Sequence, residues 1–359
     1  MLEGPASTCT PRLGWYAPSV AGESAGQHAT PAPPQPRGHV PLAQALVPAL
    51  TEACGGEGRL RQLTWFRSDH QRGGGSTASA VLCDDGGERP VIVKLPVGYQ
   101  EWKWTTRLAE LQRLDERPVT PRVLKSGLEL GGHDLAWLII ERLPGRTIGN
   151  QMDEPTVRGV LSACARLQQL CARVDSASVA SSRRVDWEMM MRRSRDALHR
   201  AGHGGGVMSP HDAQIWNNEL KAVHRVLPTL LARWEARSKV DWCHGDLHGG
   251  NAVRGEDGRV VLIDMALVHP GHWIEDALYF ERVYWGNPGA MCGVNPLKDL
   301  ALHRRELGLS CDGDYGRLAS VRRVLTASCA PALIEREGNK PYLDAALEII
   351  RRNLPMASH

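Results

Sequence analysis

No apolar run in this 359-residue sequence approaches the roughly 18 residues that a membrane span requires. The N-terminus also lacks the basic-then-apolar order of a secretory signal. A cytoplasmic protein with no membrane partner is the expectation. Charge of one sign is missing as well: 43 Lys and Arg stand against 40 Asp and Glu, and the basic residues are dispersed. A nucleic-acid face needs a concentrated basic stripe, so no nucleic-acid partner is expected. Nine cysteines form no CxxC pair and no repeating spacing. That pattern indicates neither a disulfide framework nor a zinc site, and it fits a reducing compartment. There is no internal repeat.

What is present is enough apolar residue, 42%, to bury a substantial core in two or three domains. Residues 1–40 are rich in Pro, Ala, Gly and Ser ("ATPAPPQPRGHVP"), a composition that cannot offset chain entropy by burial, so a disordered tail is expected. From Leu42 a short helical pattern leads into "RLRQLTWFRS" and then "STASAVLCDDGGERPVIVKLP", which reads as a hairpin turning at "DDGG". "EWKWTTRLAELQRL" has helical spacing, while "PVTPRVL" and "LAWLIIERLPG" read as extended. Beyond Gly145 the pattern turns helical. Val157, Val160, Leu161, Cys164, Leu167, Cys171 and Val174 share one helical face, a second helix spans roughly Asp212 to Arg237, and helix resumes after Asp276. A mixed-sheet lobe over 41–144 and a mostly helical lobe over 145–359 are expected.

The stretch "CHGDLHGGN", Cys243 to Asn251, gathers two histidines, an aspartate, an asparagine and three glycines. Such a loop loses backbone entropy on folding without burying apolar surface, so its reason lies outside packing. It runs into "NAVRGEDGRVVLID", where a two-residue turn at Asp257-Gly258 sets Glu256 opposite Arg259, Val253 opposite Leu262 and Asn251 opposite Asp264. An amide oxygen and a carboxylate about 5 Å apart can share one hard cation. Mg²⁺ suits them, because it takes few protein ligands and completes its shell with water and phosphate oxygens. Asp246 precedes Asn251 by five residues, as in the H-x-D-x-x-x-x-N loop of phosphoryl-transfer enzymes, and His244, Asp246, Asn251 and Asp264 fill all four positions. In that chemistry Asp246 receives or orients the proton of an acceptor hydroxyl, and Asn251 and Asp264 hold Mg²⁺ on the ATP phosphates. Lys94, on the apolar strand "RPVIVKLP", takes the place of the phosphate-holding lysine. Pairing about Gly86 sets it opposite roughly Ala78, just past the loop with Gly73, Gly74 and Gly75, whose backbone amides can approach phosphate.

"HGDLHGGN" followed by "VLID" resembles the aminoglycoside phosphotransferase and choline kinase superfamily, the small-molecule relatives of protein kinases. Gly245 stands where a protein kinase carries Arg, and "DMA" replaces the Phe-Gly after the metal aspartate, which favours a small-molecule kinase. The resemblance spans about Leu60 to Trp285. It implies an α+β, two-lobed protein-kinase-like fold with a small mixed or antiparallel sheet lobe and a larger helical lobe. It also implies that His244 and His248 support the loop, and that Asp276 braces it, unless Asp276 is a plain helix N-terminal carboxylate. Glu101 pairs with Lys94 in preference to Glu110, and Glu141 to Leu143 bond adenine through main-chain groups. The helix ending "LSACARLQQL" departs from the family by lacking its Leu-His. Trp273, Phe280, Glu281, Tyr284 and Trp285 either surround an acceptor or fill the core. Basic and acidic residues are near balance after Gly145, so no aminoglycoside is singled out. The expected activity is ATP- and Mg²⁺-dependent phosphorylation of a small-molecule hydroxyl, with GTP an alternative donor. A metabolite kinase for choline, an amino alcohol or a sugar is the second reading, and a nucleotide-binding regulator without turnover the third.

Overall fold

The computed structural model describes residues 42–67, 75–149, 152–174, 185–202, 208–311, 313–333 and 339–358. Two short helices, α1 (Leu42–Ala45) and α2 (Val47–Ala53), precede β1 (Leu60–Arg67), β2 (Ser76–Asp84), β3 (Gly87–Val97), α3 (Tyr99–Leu111), β4 (Val123–Leu130) and β5 (His133–Glu141). The strands form one antiparallel sheet in the order β1-β2-β3-β5-β4. Alternation decides its faces: Ala78, Ala80, Leu82, Val91, Val93 and Leu95 are buried with Leu46, which joins the two short helices, and Leu50 of α2. Lys94, flanked by Val93 and Leu95, belongs to the opposite face, where α3 follows.

The structure differs from expectation at two places in this lobe. The β2–β3 turn is Asp85-Gly86, closed by the pair Asp84–Gly87, so Lys94 lies opposite Thr77 and not Ala78. "PVTPRVL" is extended only from Val123 onward. Pro118 and Pro121 stay outside the strand, as residues without an N–H to give a ladder.

The rest is mostly helical: β6 (Arg146–Thr147), α4 (Glu154–Val174), α5 (Trp187–Gly202), α6 (Pro210–Glu235), β7 (Asp241–Cys243), β8 (Ala252–Arg254), β9 (Val260–Leu262), β10 (His269–Gly271), α7 (Ile274–Val283), α8 (Pro296–Glu306), α9 (Tyr315–Ser328), α10 (Ala330–Leu333) and α11 (Lys340–Ser358). The short strands make two small antiparallel sheets, β6-β8-β9 and β10-β7. Helix α4 buries Val157, Val160, Leu161, Cys164, Leu167 and Cys171, with Val174 packed at the edge of the same core. That face is the one read from the spacing. The core also takes in Trp104 and Leu108 of α3, and Trp104 meets Trp242 of β7 edge-on at 4.4 Å. No helix among the described residues is long and apolar enough to cross a membrane.

The register of the β8–β9 hairpin departs from expectation. Ala252 faces Leu262, Val253 faces Val261 and Arg254 faces Val260. The turn holds three residues, Glu256 to Gly258, closed by Gly255 N–H donating to Arg259 C=O at 2.9 Å, with Gly258 at φ +77°. A type I turn followed by a left-handed glycine needs that extra residue, and it shifts the pairing by one. Asn251 therefore faces Ile263, whose N–H donates to the Asn251 carbonyl at 2.9 Å, and not Asp264.

Candidate active site

The loop after β7 is held by Asp276, fully buried in the first turn of α7. Its carboxylate accepts the backbone N–H of His244 and of Gly245, both at 2.9 Å, and the Gln168 amide at 3.1 Å. Gln168 occupies the helix where the family's Leu-His is missing, and its Oε1 accepts a bond from buried Arg304 at 2.7 Å. The brace is therefore supplied by an amide backed by a guanidinium. Close approach explains two glycines of the loop. A side chain on Gly245, at φ +81°, would lie 2.3 Å from the Leu267 carbonyl oxygen, and one on Gly249 would lie 2.1 Å from the Gly149 oxygen.

Both histidines support the loop. His244 is buried, its Nδ1 accepting the Asp246 N–H at 3.3 Å and its Nε2 meeting the Ile263 carbonyl at 3.1 Å. His248 Nδ1 accepts the Gly250 N–H at 2.9 Å, which leaves the proton on Nε2, 3.7 Å from Asp246 Oδ2. Ile263 is thus pinned through its N–H to Asn251 and through its C=O to His244. That double tie places Asp264 at the end of the loop despite the shifted register.

Asp246 is held at both carboxylate oxygens. Asn251 Nδ2 donates to Oδ2 and to the Asp246 carbonyl, each at 3.0 Å, and the Tyr279 hydroxyl donates to Oδ1 at 2.5 Å. Burial alone would push this carboxyl up; bonds from His248 and Tyr279, with the nearby His248 and His244 rings, outweigh it and hold it below its ordinary value. Asp264 follows β9 in the left-handed region at φ 67°, ψ 73°, a strained conformation for a residue with a side chain. Among the described residues its carboxylate meets no donor, and neither does Asn251 Oδ1. One carboxylate and one amide oxygen, close in the fold and uncommitted, suit a hard divalent cation.

On the sheet side Lys94 forms an ion pair with Glu101 in the first turn of α3, both largely buried. Glu110 instead pairs on the surface with Arg107 at 3.1 Å. Helix α3 packs on the 3₁₀ turn Met265–Leu267 directly after Asp264, so the two charged groups ride on touching elements. Gly73 and Gly74 lie outside the described residues. Gly75 is pressed against Pro96, where a Cβ would fall 1.6 Å from the carbonyl oxygen. At the strand end Glu141 accepts the Arg122 N–H with its side chain at 2.9 Å and donates its own N–H to Arg122 at 3.0 Å. Arg142 N–H is taken by Pro90 at 3.1 Å. Leu143 is left as the linker amide that no described carbonyl accepts.

Trp273, Phe280, Tyr284 and Trp285 are buried in the core, and Glu281 is clamped by Arg323 at 2.8 and 2.6 Å. The core reading of these aromatics holds. Tyr284 also supports the loop, its hydroxyl accepting the Gly249 N–H at 3.1 Å. Tyr279, Gln168 and Arg304 escaped the sequence reading. The available signal for Tyr279 was its place three residues, nearly one helical turn, after Asp276.

Residues 70–293 match the phosphotransferase enzyme family. The chain belongs to that family, and with it to the enzymes that phosphorylate hydroxyl groups of small molecules. Among solved structures it is similar to an aminoglycoside phosphotransferase from Alicyclobacillus acidocaldarius, at 15% identity and TM-score 0.51, covering 91% of this chain and 94% of that one. A thermostable mutant aminoglycoside phosphotransferase in ternary complex with AMP-PNP and hygromycin B matches at 18% identity and TM-score 0.48, covering 86% and 97%. A spectinomycin phosphotransferase in complex with ADP and spectinomycin matches at 12% and 0.47, covering 81% and 93%. What the first of these shares with this chain is its two-lobed kinase-like fold. No curated protein matches in sequence.

Proposed function

We propose that this chain transfers the γ-phosphoryl group of ATP, with Mg²⁺, to a hydroxyl of a small molecule, and that Asp246 is the base. The observation that carries the reading is the Asn251 side chain. Its Nδ2 is committed to Asp246, leaving Oδ1 to face a cation, so one residue ties the proton acceptor to the metal position. Mg²⁺, when bound, neutralises charge on the phosphates. Asn251 and Asp264 would hold it.

Phosphoryl transfer asks a protein mainly for positioning and charge compensation. Lys94, fixed by Glu101, compensates the phosphates. Backbone amides of Gly73, Gly74 and Gly75 are assigned to the phosphates, and the linker from Glu141 to Leu143 to the base through its backbone, with Leu143 N–H as the available donor; GTP is the alternative nucleotide. Asp246, already ionised through the neutral range, orients the acceptor hydroxyl and receives its proton. Residues 41–144 serve the nucleotide and residues 145–359 the acceptor.

The acceptor is a small-molecule hydroxyl, the enzyme being aminoglycoside phosphotransferase-like, with a metabolite kinase for choline, an amino alcohol or a sugar as alternative. The choline reading is weakened because the aromatics that would cage its headgroup are in the core. A coupled ADP-release screen across aminoglycosides, macrolides, sugars and amino alcohols, with and without Mg²⁺, tests the proposal. Acceptor-dependent, Mg²⁺-dependent ADP release with a phosphorylated product is expected; MgATP binding with no acceptor-dependent release would favour a regulator without turnover.

A further inference from the structure

Helix α7 lies along the whole catalytic loop. Asp276 holds the amides of His244 and Gly245, and Tyr284, just past the helix, takes the amide of Gly249. Between them Tyr279 does something different: it bonds the reactive side chain itself, Oη to Asp246 Oδ1 at 2.5 Å. A carboxylate anchored at one oxygen can still turn about its Cβ–Cγ bond. Asn251 anchors Oδ2, and a second donor on Oδ1 fixes the plane.

We propose that Tyr279 is a positioning residue of the phosphotransfer reaction, its hydroxyl locking Asp246 in the orientation that meets the acceptor hydroxyl. This rests on the reading of Asp246 as the base. A carboxylate oxygen has two lone-pair sites. Oδ2 accepts from Asn251 and faces His248, whereas Oδ1 accepts from Tyr279 alone among the described residues. The acceptor hydroxyl therefore bonds Oδ1 beside the phenol. The donor's rigidity comes from its seat one turn from Asp276 and from its ring, which faces the Arg282 guanidinium at 5.8 Å.

Tyr279→Phe keeps the ring and removes only the hydroxyl. Misorientation at a reacting group is costly in rate, so kcat should fall by about tenfold or more while the KM for MgATP and the thermal midpoint stay unchanged. A structural role would not give the second signature, which is coupling: in an Asp246→Asn background the same change should have no further effect on the residual rate. Wild-type kcat in Tyr279→Phe would overturn the proposal. So would losses that multiply in the double variant, or a fall in kcat matched by lost MgATP affinity and a lowered midpoint. If Asp246→Asn alone retains near-wild-type turnover, the reading of Asp246 as base is what fails. If that variant is slow and Tyr279→Phe is not, only the role of Tyr279 fails.

Discussion

Asp264 is set apart by its backbone as much as by its carboxylate. The β9 strand ends at Leu262, and a left-handed residue two positions later turns the chain into a 3₁₀ turn. That geometry was not legible from strand pairing, which had placed Asp264 directly across from Asn251. The spacing of His244, Asp246 and Asn251, by contrast, was readable because one short loop must present all three, and short-loop chemistry leaves little freedom in spacing. Tyr279 offered only its place nearly one turn after Asp276, since a tyrosine beside the core residues Leu278 and Phe280 looks like core until its hydroxyl is given a partner. For Asp264→Ala, calorimetric titration should show a preserved fold and a loss of the Mg²⁺-dependent part of ATP binding, on the order of tenfold or more. Equal ATP affinity with and without Mg²⁺ in the wild type, or an undiminished Mg²⁺ effect in the variant, would remove Asp264 from the metal site.

At the scale of elements, α7 is fixed by a buried charge cluster at its N-terminus. Glu275 accepts from Arg237 Nε at 3.0 Å and from the His272 N–H at 3.0 Å, and Arg237 stacks over Trp234 with 4.1 Å to the ring centroid. Burial alone would raise the Glu275 carboxyl; the contact with His269 and the charges of Arg322 and Arg237 overcome it and hold the group well below its usual range. A carboxyl depressed by folding contributes stability that is present above its unfolded value, near 4.3, and is lost as pH falls towards the folded value. Glu275→Gln leaves the buried Arg237 side chain and the nearby Arg322 without their anion, which should cost about 3–5 kcal/mol at neutral pH. Thermal melts between pH 7 and pH 3 should show the difference from wild type shrinking on the acid side; a constant difference would mean that folding does not depress the Glu275 carboxyl, and a difference that grows on the acid side would mean that it folds uncharged. The amphipathic face of α4 was legible because its burial follows a 3.6-residue period. The β8–β9 register was not, because "EDG" admits both a two-residue and a three-residue turn and only packing decides between them.

The whole molecule joins a sheet lobe, whose core is one face of an antiparallel sheet, to a helical lobe with its own larger core. Lobe order and class could be read from the change in periodicity after Gly145. Contact between the lobes could not, since it rests on a few large side chains such as Trp104 and on α3 seated against the turn after Asp264. That seating connects the Lys94–Glu101 pair of one lobe to the Asp246–Asn251–Asp264 set of the other, and a site assembled this way should keep MgATP when the proton acceptor alone is lost. The decisive measurement is single-turnover phosphoryl transfer to an identified acceptor by Asp246→Asn at saturating MgATP. Asparagine keeps the size and one acceptor oxygen but loses the charge that receives the proton. Transfer slowed by about 10²–10⁴ with MgATP affinity within a few-fold of wild type is the expected result; a transfer rate within a few-fold of wild type would contradict the assignment of Asp246 as the base.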